Sequence, residues 1–349
     1  MRDRTSLRRW ALWAVSAAAA ACVLAEPQRA AQGVRDGLAL CARTVIPTMF
    51  PFLVFSRLVL EGPGARWLGL LLRPFTALLG VRSRRAGAAV LCGLFGGFAA
   101  GAQCIGALRR SGEVGRRQAG LLLIAASVSG PAFVVGGVGG MLGSTAAGWL
   151  LYASQAAAAL ICALAFSLFS RGEAPSPPRA GSEGHSEGFA AALAAGVQST
   201  CLLCGYVALF SFFTAVALPA SRLPLVRFAG AALLEVTTAC RTAAALDGRL
   251  YLCAAAISLL GASVFVQVRA LAGSDVPLAP LAAARVLHLP LTLGFTALGA
   301  RFLPGAVAAS SGERLVAMRM PADAACVVFL LCALALCGKD GLRKRENAV

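Results

Sequence analysis

Two charged residues, Glu235 and Arg241, stand in the otherwise apolar run 229–246. A charge held in hydrocarbon is costly, so it persists there only with a partner or a task. Arg241 carries the forked donors that hold a carboxylate. Glu235 can bind a coupling cation or fix that arginine, and Thr237 and Thr238 add hydroxyls beside it. On one continuous helix the two charges do not face each other, but they meet if the chain turns back between them. A mutual ion pair, or Arg241 reaching to the surface along its own stem, accounts for the pair equally well without any ligand.

The first half of the chain holds an uncharged counterpart. Gly96-Gly97-Phe98-Ala99-Ala100-Gly101-Ala102-Gln103 offers exposed backbone and one amide side chain. Ser127, Ser129, Gly130 and Pro131 mark a second interruption, because proline removes an N–H and clashes with the preceding turn. Broken helices present free N–H groups and dipole ends to a charged solute deep in a bilayer. Small-residue helix packing and a plain proline kink are the competing readings of these two stretches. The candidate solute-binding residues are therefore Gly97, Gln103, Ser127, Ser129, Gly130, Glu235, Thr237, Thr238 and Arg241. His288, Gln155, Gln267 and Arg269 rank behind them, and His185 lies in a polar linker.

The elements that must carry these residues follow from composition. Of 349 residues, 58% are hydrophobic and 13% charged, with a mean hydropathy of +0.77. A soluble surface needs nearer a quarter charged residues. Here the charges sit in short clusters between apolar runs long enough to cross a bilayer. The expected fold is all-α and polytopic, with about eight membrane helices and two re-entrant hairpins in two inverted repeats. Spans are expected at 11–25, 37–60, 118–140, 143–169, 190–217, 249–270, 277–302 and 321–338, with hairpins at 86–108 and 229–246.

Charge orients them. Arg66, Arg73, Arg82, Arg84 and Arg85 precede the stretch 86–108, and the basic segment 109–117 follows it; both belong on the cytoplasmic side. That requires 86–108 to enter and leave by one face, which broken backbone can do where protein buries it. The rival is a further crossing at 65–80. The first helix, after Arg2, Arg4, Arg8 and Arg9, is read as uncleaved, with a cleavable signal as the alternative. Both termini then lie in the cytoplasm. The chain divides into 1–36 (first helix and outer loop), 37–169 (first repeat), 170–188 (a Pro/Gly/Ser-rich linker), 189–302 (second repeat) and 303–349 (last helix and basic tail). The halves align weakly: Gly97 falls opposite Glu235, Gln103 opposite Arg241, Ser127 on Ser258, and Gly130 on Gly261.

Several function classes drop out. The net charge of +17 lies at the ends of apolar segments, whereas a nucleic-acid binder concentrates it on one exposed face. The 12 cysteines are mostly isolated within apolar runs; Cys201 and Cys204 form one CxxC without a second pair, so neither zinc nor a cofactor is expected. No nucleotide-binding loop and no nucleophile-with-base set is visible, so the chain is not expected to be an enzyme. A coupling cation and a homo-oligomer remain open.

Pro47-Thr48-Met49-Phe50-Pro51-Phe52, the Gly-Gly-Phe-Ala-Ala-Gly-Ala-Gln stretch, Ser129-Gly130-Pro131-Ala132-Phe133 with Gly136, Gly137, Gly139 and Gly140 nearby, and Leu234-Glu235-Val236-Thr237 resemble the YlbJ (SpoVV) sporulation integral membrane proteins. These sit within the wider group carrying the nucleoside-recognition Gate domain. The family's hairpin reads closer to Ser-Gly-Tyr-Pro-x-Gly-x-Lys; Phe98, Ala99 and Gln103 stand here in place of its Tyr, Pro and Lys. The resemblance implies a protein of endospore formers, made in the mother cell and placed in the outer forespore membrane, passing dipicolinic acid toward the forespore. Dipicolinate is a small planar dianion, which suits an arginine at position 241. A nucleoside or ion carrier and a non-transport scaffold are the alternatives.

Overall fold

The computed structural model describes residues 2–169, 188–218 and 223–303. The expected span 321–338, the basic tail, His185 and nearly all of the linker lie outside the described residues. Among the described residues every regular element is a helix, and six helices are long and apolar enough to cross a membrane. The chain is thus an integral membrane protein of several spans.

Helix α1 (Arg2–Ala25) leads into α2 (Pro27–Leu40), a π-helical turn at Cys41–Val45 and α3 (Ile46–Glu61). The π turn sits just ahead of Pro47, whose missing N–H leaves the usual helical ladder one donor short. The run Pro27–Glu61 is continuous, so its two ends lie about 50 Å apart and give fixed markers for the two ends of the bundle. The expected span beginning at residue 37 starts instead at Pro27. Ala30, Gly33 and Gly37 form a buried stripe that lets α10 (Phe189–Ala217) approach closely: a Cβ at Gly33 would lie 2.7 Å from the Ala215 Cβ. Gln32, Arg35 and Asp36, between those small residues, hide the stripe from a reading based on hydropathy.

Helices α4 (Ala65–Leu71) and α5 (Arg73–Leu78) follow. Each is roughly 10 Å long, far short of the roughly 30 Å of hydrocarbon, and neither is among the helices long and apolar enough to cross by themselves. Helix α6 (Ala86–Arg110) is interrupted at Gly97, with φ 83° and ψ 176°. It doubles back there. In a straight helix residues eight apart are roughly 12 Å from each other, whereas a Cβ at Gly101 would sit 2.8 Å from the Gly93 Cα. Its two ends accordingly meet: the Arg85 guanidinium pairs with Glu113, Ser83 donates to the same carboxylate at 2.9 Å, and Arg85 reaches the Leu60 carbonyl at 3.5 Å.

Helix α7 (Arg116–Ala126) breaks at Ser127–Pro131, resumes as a π-helical stretch Ala132–Val138 and ends in α8 (Gly139–Leu142); α9 (Thr145–Phe169) returns. The second half repeats this order. Helices α11 (Pro224–Leu234) and α12 (Val236–Ala243) are joined by the extended residue Glu235. Helices α13 (Arg249–Leu259) and α14 (Gly261–Ala272) are joined through Leu260, and α15 (Ala279–Phe302) returns. The hairpin expected at 229–246 begins at Pro224, a start obscured by Arg227 in the first turn of its first arm. The two hairpins reach in from opposite ends of the bundle. The base of α6 is beside Leu60, while the base of α11/α12 shares a cavity with Arg29, at the other end of the same continuous helix.

Candidate functional site

The interruptions fall in two pairs, one per half. In the first, Gly97 faces the Ser127–Pro131 break. The Phe98 amide, freed by the interruption, donates to the Val128 carbonyl at 2.7 Å, and a Cβ at Gly97 would lie 3.0 Å from the Gly130 nitrogen. Glycine is required twice over: the φ of 83° with an extended ψ is closed to L side chains, and the facing backbone leaves no room. In the second pair, Gly261 (φ 73°) faces Glu235, with a Cβ there 3.1 Å from the Glu235 nitrogen. Beside it Leu260 is buried at φ 67°, a left-handed conformation that a branched apolar residue adopts only under constraint.

Each break must satisfy the amides and carbonyls it releases. At Glu235 the carboxylate does so: its oxygens accept from the Thr237 amide at 2.9 Å and the Thr238 amide at 2.6 Å, capping α12. Glu235 is only 2% exposed, and the positive end of α12 offsets its charge. The ion pair with Arg241 that would dispense with a ligand does not form. Arg241 is exposed, one and a half turns further along, and lies with Thr238 and Thr242 in an open cavity of about 600 Å³. Arg29, Asp36, Ser211, Thr214 and Arg227 also line it. Residues on both sides of Glu235 (Pro224, Arg227 and Ala231 before it, Thr238, Arg241 and Ala245 after it) line the same cavity, as two arms of a hairpin do. Arg29 pairs with Glu26 and Asp36 accepts from Gln32, so Arg227 and Arg241 have no carboxylate partner among the described residues.

The first break is satisfied from outside. Gln155 of α9 accepts from the Ser129 amide at 3.1 Å and donates to the Ser129 carbonyl at 2.8 Å. Its own carbonyl lies 3.1 Å from His288 Nε2 on α15, and His288 Nδ1 is 2.6 Å from the Ser258 hydroxyl, one turn before the second break. A buried polar chain thus runs Ser129–Gln155–His288–Ser258 and ties the two breaks together. Since a backbone carbonyl only accepts, Nε2 carries the imidazole proton and Nδ1 accepts. Gln155 and His288 ranked low in the sequence reading, yet both are fully buried at the centre of this chain. Arg285, one turn before His288 and 5% exposed, is a further buried polar residue; its Nη1 donates to the Ser258 carbonyl at 3.3 Å. The sequence signal for it is an arginine three residues ahead of a histidine inside a span.

The remaining candidates separate. Gln103 sits on the second arm of α6, buried, with neither amide atom hydrogen-bonded among the described residues; the Ser127 and Ser129 hydroxyls are likewise buried without partners there. Gln267 donates to Ser263 at 2.7 Å. Arg269 clamps the carbonyls of Gly273, Ser274 and Val276, a structural anchor for the end of α14. Of the CxxC pair, Cys204 is buried and its carbonyl accepts the Cys41 thiol at 3.6 Å. Gly97, Gly130, Ser127 and Ser129 are therefore one locus, Glu235, Thr237 and Thr238 a second, and Arg241 lines the cavity beside the latter.

No protein-family model and no solved structure matches the chain. Among curated proteins, the sporulation integral membrane protein YlbJ of Bacillus subtilis (strain 168) is 29% identical over 118 residues. That alignment spans 34% of this chain and 29% of the length of YlbJ, so less than a third of the relative is covered. The resemblance to YlbJ proteins carried by the motifs of this sequence thus has a curated counterpart over about a third of the chain.

Proposed function

We propose that the chain is a secondary transporter for a small organic anion, and that in a sporulating cell this anion is dipicolinate, passed from the mother cell across the outer forespore membrane. The observation that carries the transport reading is the pairing of helix breaks in both halves, Gly97 against Gly130 and Glu235 against Gly261, with hairpins reaching in from opposite ends. Inverted halves with broken helices at matching positions suit alternating access around a midplane site. In this reading α6 and α11/α12 are re-entrant hairpins. The crossings are α1, α2–α3, α7–α8, α9, α10, α13–α14, α15 and the expected helix 321–338. The arginine-rich end around Arg82, Arg84, Arg85, Arg109 and Arg110 faces the cytoplasm, as do both termini.

Arg227 and Arg241, without carboxylate partners, give the cavity a positive field that draws an anion toward the second hairpin. Glu235, already holding two amides, orders that hairpin. The buried, unpartnered Gln103, Ser127 and Ser129 offer hydrogen bonds to solute at the first break. No catalytic role is assigned to any of these residues. The sporulation setting is supported by the similarity to YlbJ. The test is dipicolinate in spores of a strain lacking this protein. A fall to a small fraction of the parental content supports the reading, and unchanged content removes dipicolinate as the cargo.

A further inference from the structure

Arg285 is oriented in a way that helix packing does not explain. It lies on α15 with 5% of its surface exposed, and one donor, Nη1, reaches the Ser258 carbonyl at 3.3 Å. Ser258 is in the last turn of α13, where carbonyls lose their helical partners before the Leu260 break. That contact uses one donor of five. Nε and Nη2, on the adjoining edge, are buried and have no hydrogen-bond partner among the described residues. These are the two parallel donors of a guanidinium fork that take both oxygens of one carboxylate.

The surroundings do not supply an anion. His288, one turn on, is neutral in the arrangement its partners impose, with Nε2–H on the Gln155 carbonyl and Nδ1 on the Ser258 hydroxyl. Thr292 adds a hydroxyl at 3.3 Å from Nδ1. The Cys162 thiol on the facing α9 donates to the Ala284 carbonyl at 3.8 Å. No ion pair to Arg285 occurs among the described residues. A buried cation missing its counter-charge is costly. Here it stands beside the polar chain that links the two helix breaks, held by one donor with its two-donor edge unused.

We propose that the Nε–Nη2 edge of Arg285 is a carboxylate-binding site between α13 and α15, distinct from the open cavity at Arg241. It takes one carboxylate of a small organic anion in a bidentate pair. Both donor atoms are closed off from solvent, so the site is occluded. The site rests on the transport reading for its purpose, while its occupancy is measurable without transport.

The experiment is thermal unfolding of the purified full-length protein in detergent, titrated with benzoate and, as a neutral isostere, benzamide. Benzoate is expected to raise Tm with increasing concentration and benzamide to leave it unchanged. Arg285→Gln should weaken the benzoate effect by at least about tenfold, the loss of hydrogen bonds to a charged group. Arg285→Lys, which keeps the charge and loses the fork, should fall between the two. Arg285→Met distinguishes a ligand site from a structural cap. In the absence of carboxylate it should raise Tm above wild type, since it removes an unpaired buried charge, whereas a residue needed to hold α13 would lower it. Benzoate stabilisation undiminished in Arg285→Gln, no stabilisation of the wild type, or a fall in anion-free Tm in Arg285→Met overturns the proposal. Dipicolinate flux in proteoliposomes is scored separately. Arg285-dependent benzoate binding without flux retires the transport reading and leaves the site standing. Flux with an unaltered KM in Arg285→Gln retires the site and leaves transport standing.

Discussion

The two halves of the molecule solve one geometric problem with different chemistry. Each crosses a broken hairpin over a broken helix, and each must satisfy the backbone groups that the breaks release. In the first half this is done almost without charge: Gly97 and Gly130 let the backbones touch, Phe98 donates to Val128, and the Gln155 amide closes around Ser129. In the second half Glu235 caps α12, Leu260 is held in a left-handed conformation, and Arg285 leans on the Ser258 carbonyl. The neutral break is close-packed. The charged break has an open cavity beside it, lined by two arginines without a carboxylate partner among the described residues.

The sharpest way to break this contrast is at Gly97. Gly97→Ala places a side chain at φ 83° and 3.0 Å from the Gly130 nitrogen, and should cost about 3 kcal/mol of stability, read as a large fall in Tm or loss of the folded protein from membranes. The matched control is Gly205→Ala in α10, where a Cβ would meet nothing within 4 Å; Tm there should hold or rise slightly. Next comes Gln155→Leu, which orphans the Ser129 amide and carbonyl and should cost about 2 kcal/mol, with faster hydrogen exchange at residues 127–131 as the local signature. Glu235→Ala removes an N-cap that serves two amides and should cost about 1–2 kcal/mol. Glu235→Gln, keeping an acceptor oxygen, should recover part of it. Smallest in stability is Arg241→Gln, within about 0.5 kcal/mol because the residue is exposed. Its expected effect is instead a raised KM for anion uptake in proteoliposomes, one that weakens further in high salt. A loss of stability at Arg241 as large as that at Gly97 would dissolve the distinction between the two regions.

Three of the four breaks were legible in the sequence: glycines at 96–97, Ser-Gly-Pro at 129–131, where proline removes a donor, and a glutamate at 235, which hydrocarbon makes costly; the break at Leu260 carries no such mark. The alignment that set Gly97 opposite Glu235 and Gly130 opposite Gly261 picks out the four positions that face each other in space, one pair per half. What stayed hidden depends on contacts between distant segments. Helix α2 begins at Pro27 because Ala30, Gly33 and Gly37 pack on α10, a pattern covered by the polar residues between them. Glu235 read as a ligand-holder or an ion-pair partner, since its role as a cap becomes visible only once α12 is known to start at Val236. Little in its long apolar run singles out Arg285, and the sequence gives His288 and Gln155 little weight, because only the fold brings α9, α13 and α15 together.

In the proposed transporter the hairpins open toward opposite faces of the membrane. Single cysteines at Ser111→Cys, beyond the second arm of α6, and at Ala245→Cys, beyond the second arm of α11/α12, report those faces to a membrane-impermeant thiol reagent once the reactive native cysteines are replaced. In right-side-out cells the position at 245 should label and the position at 111 should label only after permeabilisation; labelling of both from the same side would contradict the inverted arrangement.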